Sequence, residues 1–167
     1  MKKILKLVND YMVKILVCLL IVPFLLLPTK SFAEVAETQI NGGLIQASSE
    51  FLRDLDYETW QLVAYKSSNN EEKLVLRVIG YPGNLRVDHP LPLNVESGRK
   101  VWELDDITLL NQELVEDSRQ AAAEFDLEQL INDISQNRPL RLSLDGVFSE
   151  LPVPPFLVKE WRNLKTD

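Results

Sequence analysis

One histidine is the first residue of this sequence whose type could carry chemistry. His89 is the sole histidine of the 167-residue chain, and an imidazole can act as a base or a metal ligand near neutral pH. Its neighbour Asp88 is poorly placed to orient the ring, because adjacent side chains on an extended strand point to opposite faces. A single histidine without cysteine partners also makes a poor transition-metal site. We therefore predict a surface or loop-packing role for His89.

A run of carboxylates is the second candidate, for a hard cation such as calcium. Its members are Glu103, Asp105, Asp106, Glu113, Glu116 and Asp117. Oxygen ligands suit such a cation, but the spacing of a calcium-binding loop, with its turn glycine, is missing from this stretch. In a chain with a net charge of -7, a solvated acidic face is the stronger interpretation.

Other reactive patterns are missing from the sequence. Ser143 and Ser149 lack the glycines of a nucleophile elbow, and there is no glycine-rich phosphate loop. The single cysteine, Cys18, lies in an apolar run near the N-terminus, so the rest of the chain has no disulfide and no thiolate metal site. We predict no catalytic, cofactor-binding or metal-binding residues and no cofactor.

The N-terminal segment has the order of a secretory signal peptide. Lysines precede an uncharged apolar run, Ile15 to Leu27, and Ser31 and Ala33 supply small residues ahead of a cleavage site. A retained transmembrane anchor is the alternative. A spanning helix needs about 20 apolar residues, however, and the run from Ile15 to Leu27 is shorter than that. We predict a signal peptide over residues 1–33, a flexible polar leader over 34–49 and a single globular domain over 50–167.

Loss of residues 1–33 leaves a strongly acidic domain. The segment carries five lysines and one aspartate, so its removal changes the net charge from -7 to -11. Such a surface repels nucleic acid and anionic lipid, and it suits a basic partner protein. We expect no nucleic-acid partner, and contact with a membrane only through an uncleaved signal segment.

The elements that must position these residues begin with strands. Leu74 to Ile79 is apolar on both alternating faces, as in a central strand, and Tyr81-Pro82-Gly83-Asn84 is typical of a turn. Thr59 to Tyr65 alternates and connects to the central strand through a short polar loop, which predicts an antiparallel pair. Further strands are predicted at Leu85 to Val87, in a hairpin over residues 93–104, and at Leu140 to Leu144.

Helices are predicted mainly toward the C-terminus. Ile107 to Glu116 fits a helix and a strand almost equally, and the alanine-rich Ser118 to Glu124 favours helix. Asp126 can cap a helix that buries Leu127, Leu130, Ile131 and Ile134. A last helix starts at Pro155 and buries Leu157, Val158, Trp161 and Leu164. This order predicts an α+β fold, a mainly antiparallel sheet in a meander packed with two C-terminal helices, with Trp60, Trp102 and Trp161 in the core or an interface.

Short motifs connect the sequence to a family. They are Trp60-Gln61-Leu62-Val63, Gly80-Tyr81-Pro82-Gly83, His89-Pro90-Leu91-Pro92-Leu93 and Trp161-Arg162. In these motifs, and over about residues 50 to 163, the chain resembles an uncharacterised family of small secreted cyanobacterial domains. The resemblance implies no catalytic or binding residues. It implies export to the periplasm or the thylakoid lumen of a photosynthetic bacterium.

Prolines define the candidate binding surface. Its residues are Tyr81, Pro82, His89, Pro90, Leu91 and Pro92. Extended proline segments keep unpaired carbonyls and have low chain entropy, which favours recognition by another protein; stiff connectors are the equally weighted alternative. We predict an exported, non-enzymatic protein-binding or accessory domain, with an assembly role at a membrane complex that is implied by the resemblance.

Two other function classes stay open. A small hydrolase or carbohydrate-active enzyme would need two carboxylates facing one cleft, roughly 5 to 9.5 Å apart. A binder of an apolar pigment or lipid would need a large dry pocket within the sheet.

Overall fold

The structure, a computed structural model, describes residues 36–40, 43–67, 73–80, 87–117 and 121–166. Within these ranges the chain forms nine strands, a 3-10 turn and three α-helices. The strands are β1 (Ala36–Ile40), β2 (Gly43–Arg53), β3 (Thr59–Lys66), β4 (Leu74–Ile79), β5 (Leu93–Ser97), β6 (Lys100–Leu104), β7 (Ala122–Asp126), β8 (Leu140–Leu144) and β9 (Phe148–Val153). The helices are α1 (Gln112–Glu116), α2 (Glu128–Asp133) and α3 (Pro155–Thr166), and the 3-10 turn is Thr108–Leu110.

The strands form two antiparallel sheets. One has the order β1-β2-β3-β4-β7 and the other the order β6-β5-β8-β9. The predicted antiparallel architecture is confirmed, but the strands do not form a single meander, because β4 pairs with β7 and β5 pairs with β8. Each sheet has an apolar inner face. Two packed sheets can bury these faces against each other, which a single sheet cannot do.

Both sheets and two helices contribute to one apolar core. Trp60 of β3 meets Phe148 of β9 edge-on, with ring centroids 4.8 Å apart. The predicted inward faces of α2 and α3 are confirmed as buried. Trp60, Trp102 and Trp161 are also buried, as predicted for core residues.

The central strand is apolar on both faces, as predicted. Leu74, Leu76 and Val78 lie in the main core. Val75 points the other way, into a second cluster with Ala47, Val63 and Tyr65. The charged side chains of Arg77 on β4 and Glu124 on β7 pair with each other beside this second cluster.

Two segments differ from the sequence prediction. Residues 34–49, expected to be a flexible leader, contain β1 and the first part of β2, which pair with each other. The stretch expected to be helical up to Glu124 contains β7, because its backbone pairs with β4 along Ala122 to Asp126. Tertiary pairing has overridden the helical preference of alanine there.

The region between β6 and β7 resolves the ambiguity over residues 107–116 in favour of helical structure. The 3-10 turn leads directly into the short α1. The predicted turn and strand over residues 81–86 lie outside the described residues. No helix in the described part of the chain is long and apolar enough to span a membrane.

Candidate functional site

The predicted proline-rich surface is described from Val87 onwards, so Tyr81 and Pro82 lie outside the described residues. In the described part, Pro90 is exposed, whereas His89, Leu91 and Pro92 are half-buried. Leu91 packs against the main core, and the His89–Pro90 peptide bond is cis. The segment is therefore a packed connector that leaves Pro90 on the surface.

Asp106 anchors this connector. Its Oδ2 accepts a hydrogen bond from the backbone N–H of Leu91 at 2.8 Å and lies 2.7 Å from Nδ1 of His89. Its Oδ1 accepts from the backbone N–H of Thr108 at 2.9 Å and from the Thr108 hydroxyl at 2.5 Å. The carboxylate thus joins the proline-rich connector to the 3-10 turn.

This arrangement corrects the prediction for the acidic residues. The side chain of Asp106 is only 1% exposed, so it does not belong to a solvated acidic face, whereas Glu103, Asp105, Glu113 and Glu116 are exposed. The carboxylate that orients His89 comes from 17 residues further along the chain, and Asp88 is exposed. An Asp two residues before Thr is a local signal for such a turn, since Asp side chains bind the backbone N–H two residues on.

The hydrogen bonds set the protonation of Asp106. Burial alone would raise the pKa of this carboxyl group. Hydrogen bonds from Thr108, His89 and the Leu91 backbone outweigh burial, and they lower the pKa below its ordinary value. Because a carboxylate can only accept, His89 Nδ1 is the donor in this pair.

A second buried carboxylate lies behind the 3-10 turn. The backbone N–H of Glu124 donates to the hydroxyl oxygen of Thr108 at 2.8 Å, and the backbone N–H of Ile107 donates to the Glu124 carbonyl at 2.8 Å. Asp106 also bridges to Phe125. The segment before the turn is therefore held along the edge of β7, and the Thr108 hydroxyl links the Asp106 carboxylate to the Glu124 backbone.

Glu124 is 3% exposed and is surrounded by donors. Its carboxylate meets Nε and Nη2 of Arg77, opposite it on β4, at 2.7 and 2.6 Å. The hydroxyl of Tyr65, one strand further across the sheet, donates to the same oxygen. Asn111 donates through Nδ2 to both Glu124 oxygens, at 3.2 and 3.1 Å. The buried charge is thus paired and fully hydrogen-bonded.

The network shifts the pKa of its neighbours. Burial, followed by the nearby negative charge of Glu124, raises the pKa of Tyr65. Burial opposes the charged form of Arg77, but the attraction of Glu124 wins and raises the pKa of the guanidinium group. Both groups therefore stay protonated near neutral pH, and Glu124 keeps its hydrogen-bond donors.

Sequence reasoning missed this network for a definite reason. Arg77 and Glu124 become partners only when β7 is a strand beside β4, and residues up to Glu124 were expected to be helical. The described residues contain no group of three or more metal-ligating side chains.

Residues 33–164 match the model of a family described as Protein of unknown function (DUF3122). The chain belongs to this family. Neither a curated protein nor a solved structure matches it. The resemblance to an uncharacterised domain family is thereby confirmed, while the cyanobacterial source stays a prediction. The DUF3122 match starts before β1, so it includes the two N-terminal strands.

Above the network, the DUF3122 domain carries exposed aliphatic side chains. Leu109 and Leu110 in the 3-10 turn are 60% and 79% exposed, and Val115 of α1 is 53% exposed. Pro90 precedes Leu91, whose backbone binds the same carboxylate as the backbone of Thr108 at the start of the 3-10 turn. We call this set the acidic leucine surface: Pro90, Leu109, Leu110 and Val115, with the exposed carboxylates Asp105, Glu113 and Glu116.

The turn that carries these leucines is fixed from below. Asn111 caps α1 by accepting from the backbone N–H groups of Glu113 and Leu114, and its amide nitrogen binds Glu124. Thr108 is likewise held between Asp106 and Glu124. The turn that carries the exposed leucines is therefore fixed on its buried side by two polar residues, Thr108 and Asn111.

Proposed function

We propose that this DUF3122 domain is an exported, non-enzymatic protein-binding domain whose contact site is the acidic leucine surface. The observation that carries the proposal is the exposure of Leu109 and Leu110, at 60% and 79%, on a turn anchored to two buried carboxylates. Clustered exposed apolar side chains mark interaction sites. An anchored turn loses little conformational entropy on binding, which favours affinity.

The charges around the leucines define the partner. Asp105, Glu113 and Glu116 are exposed in the same segment, and the whole chain carries a net charge of -7. A partner segment with aliphatic side chains flanked by Lys or Arg complements this surface, and opposite charges accelerate its association. The accessory or assembly role at a membrane complex is implied by the family resemblance.

The state of the buried carboxylates supports a non-enzymatic role. The oxygens of Asp106 and Glu124 already accept hydrogen bonds from side-chain or backbone donors. A glycosidase-type reaction needs two carboxylates free to act on a substrate in one cleft. These two carboxylates instead hold the connector and the turn in place.

The export part of the proposal rests on the N-terminal sequence. Lysines, an apolar run and a Ser31-Phe32-Ala33 site stand in signal-peptide order. Mass spectrometry of the protein from its own cells should find a mature start near Glu34. Intact protein that contains Met1, recovered in the membrane fraction, would contradict cleavage.

The binding surface is tested by affinity capture from native membrane extracts. Leu110→Asp changes the acidic leucine surface, and Val101→Asp places the same charge at another exposed aliphatic residue, on β6. We expect a captured protein that the parent and Val101→Asp retain, that Leu110→Asp loses, and that raised salt releases. Photo-crosslinking from position 110 should join it through a Lys- or Arg-rich peptide. Identical capture by both variants would reject this surface.

A further inference from the structure

A second charged feature lies on the described part of the molecule, away from the acidic leucine surface. Two clefts flank residues 132–138, which comprise the end of α2 and the chain that follows it, and Ile134 lines both. The first cleft has a volume of about 460 Å³ and is lined by Arg99, Lys100 and Arg138. The second has a volume of about 410 Å³ and is lined by Lys159, Arg162 and Lys165. We call the first of these the hairpin cleft.

Contacts hold the elements of the hairpin cleft together. Arg99 and Lys100 lie at the turn between β5 and β6, where Gly98 has a φ of +63°. The hydroxyl of Ser97 donates to the Pro139 carbonyl at 3.1 Å, which joins this hairpin to the segment after α2. The indole N–H of Trp102 donates to Asp133 at 3.1 Å. The hairpin and the facing segment are thus linked at two points.

The second cleft is built in a similar way from α3. Arg162 donates through Nη1 to the side-chain oxygen of Asn137 at 2.7 Å. Lys165 donates to the side-chain oxygen of Asn132. The basic residues of the two clefts therefore come from the β5–β6 hairpin, from the segment after α2 and from α3.

The local charge is opposite to that of the whole molecule. The residues that line the two clefts include six cations and a single carboxylate, Asp133, which already accepts the hydrogen bond from Trp102. At physiological ionic strength, charges act over only about 8 Å. The cations that line the clefts therefore contribute strongly to the local field, although the chain as a whole has a charge of -7.

We propose that the hairpin cleft binds a dianionic phosphate group. Arginine side chains present paired N–H donors that match phosphate oxygens, and a lysine adds a point charge. The buried Trp102 and Ile134 provide an apolar wall for the carbon part of a phosphate ester. A concave site of this volume suits a small group, and the second cleft extends the positive field beside it. The phosphate belongs to a free ester or to a lipid headgroup, and the two sources can be separated by experiment.

Calorimetric titration of the protein with inorganic pyrophosphate tests the site. We expect saturable binding that weakens as salt is added and falls roughly tenfold or more in the variant Arg99→Ser/Arg138→Ser. The matched control is Arg141→Ser. Arg141 is 66% exposed, pairs with Glu150 at 3.3 Å and lines neither cleft. Should the double variant fail to fold, Arg99→Ser alone replaces it, because its exposed side chain lies at a hairpin turn.

Vesicle sedimentation separates the two sources. Phosphatidylcholine vesicles with and without phosphatidic acid, whose headgroup is a phosphate monoester, are compared for the parent, the double variant and Arg141→Ser. Binding to phosphatidic acid vesicles that the double variant loses would assign the phosphate to a lipid headgroup. Binding of pyrophosphate without binding of vesicles would assign it to a free ester. If neither probe binds, or if Arg141→Ser weakens binding as much as the double variant, the proposal is wrong.

Discussion

His89 Nδ1 lies 2.7 Å from Oδ2 of Asp106, and the same oxygen accepts the backbone N–H of Leu91 at 2.8 Å. One buried carboxylate therefore holds the proline-rich connector, and its other oxygen holds the 3-10 turn through Thr108. The two halves of the acidic leucine surface depend on this residue for their relative position. Its removal should affect stability and binding together.

Asp106→Asn should lower the free energy of unfolding by about 2–4 kcal/mol, because an amide replaces one acceptor oxygen with a donor and leaves buried N–H groups unpaired. The neighbouring Asp105→Asn is the control, since Asp105 is exposed, and its cost should stay within about 0.5 kcal/mol. Urea melts of the two variants measure the difference. Equal melts would show that Asp106 does not anchor the connector.

Stability should depend on acid pH through Asp106. Its pKa is lower in the folded protein than its ordinary value, which is about 3.9 in an unfolded chain. The stabilising contribution is therefore fully present above about pH 4, and it is lost as the pH falls from there through the folded pKa. The difference in unfolding free energy between the parent and Asp106→Asn should shrink below about pH 4. A constant difference down to pH 2 would contradict this linkage.

Tyr65→Phe should lower the free energy of unfolding by about 1–3 kcal/mol, because buried Glu124 and Arg77 lose a hydrogen-bond partner. Tyr57→Phe is the control at a position that is 79% exposed, and it should change little. In an alkaline titration followed by ultraviolet absorbance, Tyr65→Phe should lose an ionisation that lies at a higher pH than that of an ordinary tyrosine, because the pKa of Tyr65 is raised. Persistence of that high-pH ionisation in Tyr65→Phe would contradict the assignment.

Two buried tryptophans should respond differently to phenylalanine. The indole N–H of Trp60 donates to Asp54 at 2.9 Å, whereas that of Trp161 has no hydrogen-bond partner among the described residues. The two substitutions remove a similar side-chain volume, but Trp60→Phe also removes the charge-assisted hydrogen bond to Asp54. It should cost about 1–3 kcal/mol more than Trp161→Phe in urea melts. Equal costs would mean that the Asp54 contact contributes nothing to stability.

The candidate site was predictable only in part. Prolines restrict the chain locally, so the sequence indicates a stiff segment at His89 to Pro92, and Pro90 does reach the surface. The sequence predicts a solvated position for Asp106, since a run of carboxylates looks the same in sequence whether or not one of them is buried. The exposure of Leu109 and Leu110 was not predictable from the sequence, because burial depends on the neighbours of a residue and not on the residue alone.

The sequence by itself determined the elements whose residues alternate or repeat clearly. Leu140, Leu142 and Leu144 fall on one side of β8, and the apolar face of α3 is buried as expected, since periods of two and 3.6 residues follow directly from backbone geometry. The hairpin of β5 and β6 was likewise predictable. A short turn places the two strands side by side, so they pair with each other.

Only the tertiary structure decided which distant strands pair. Alternation shows which face of a strand is apolar but not which neighbour its backbone will bind. Ala122 to Asp126 forms β7 because its backbone pairs with the edge of β4. Glu124 is buried there because Arg77, its partner on β4, carries the compensating charge. A buried charge is tolerable only beside its partner, and that partner is 47 residues away in the chain.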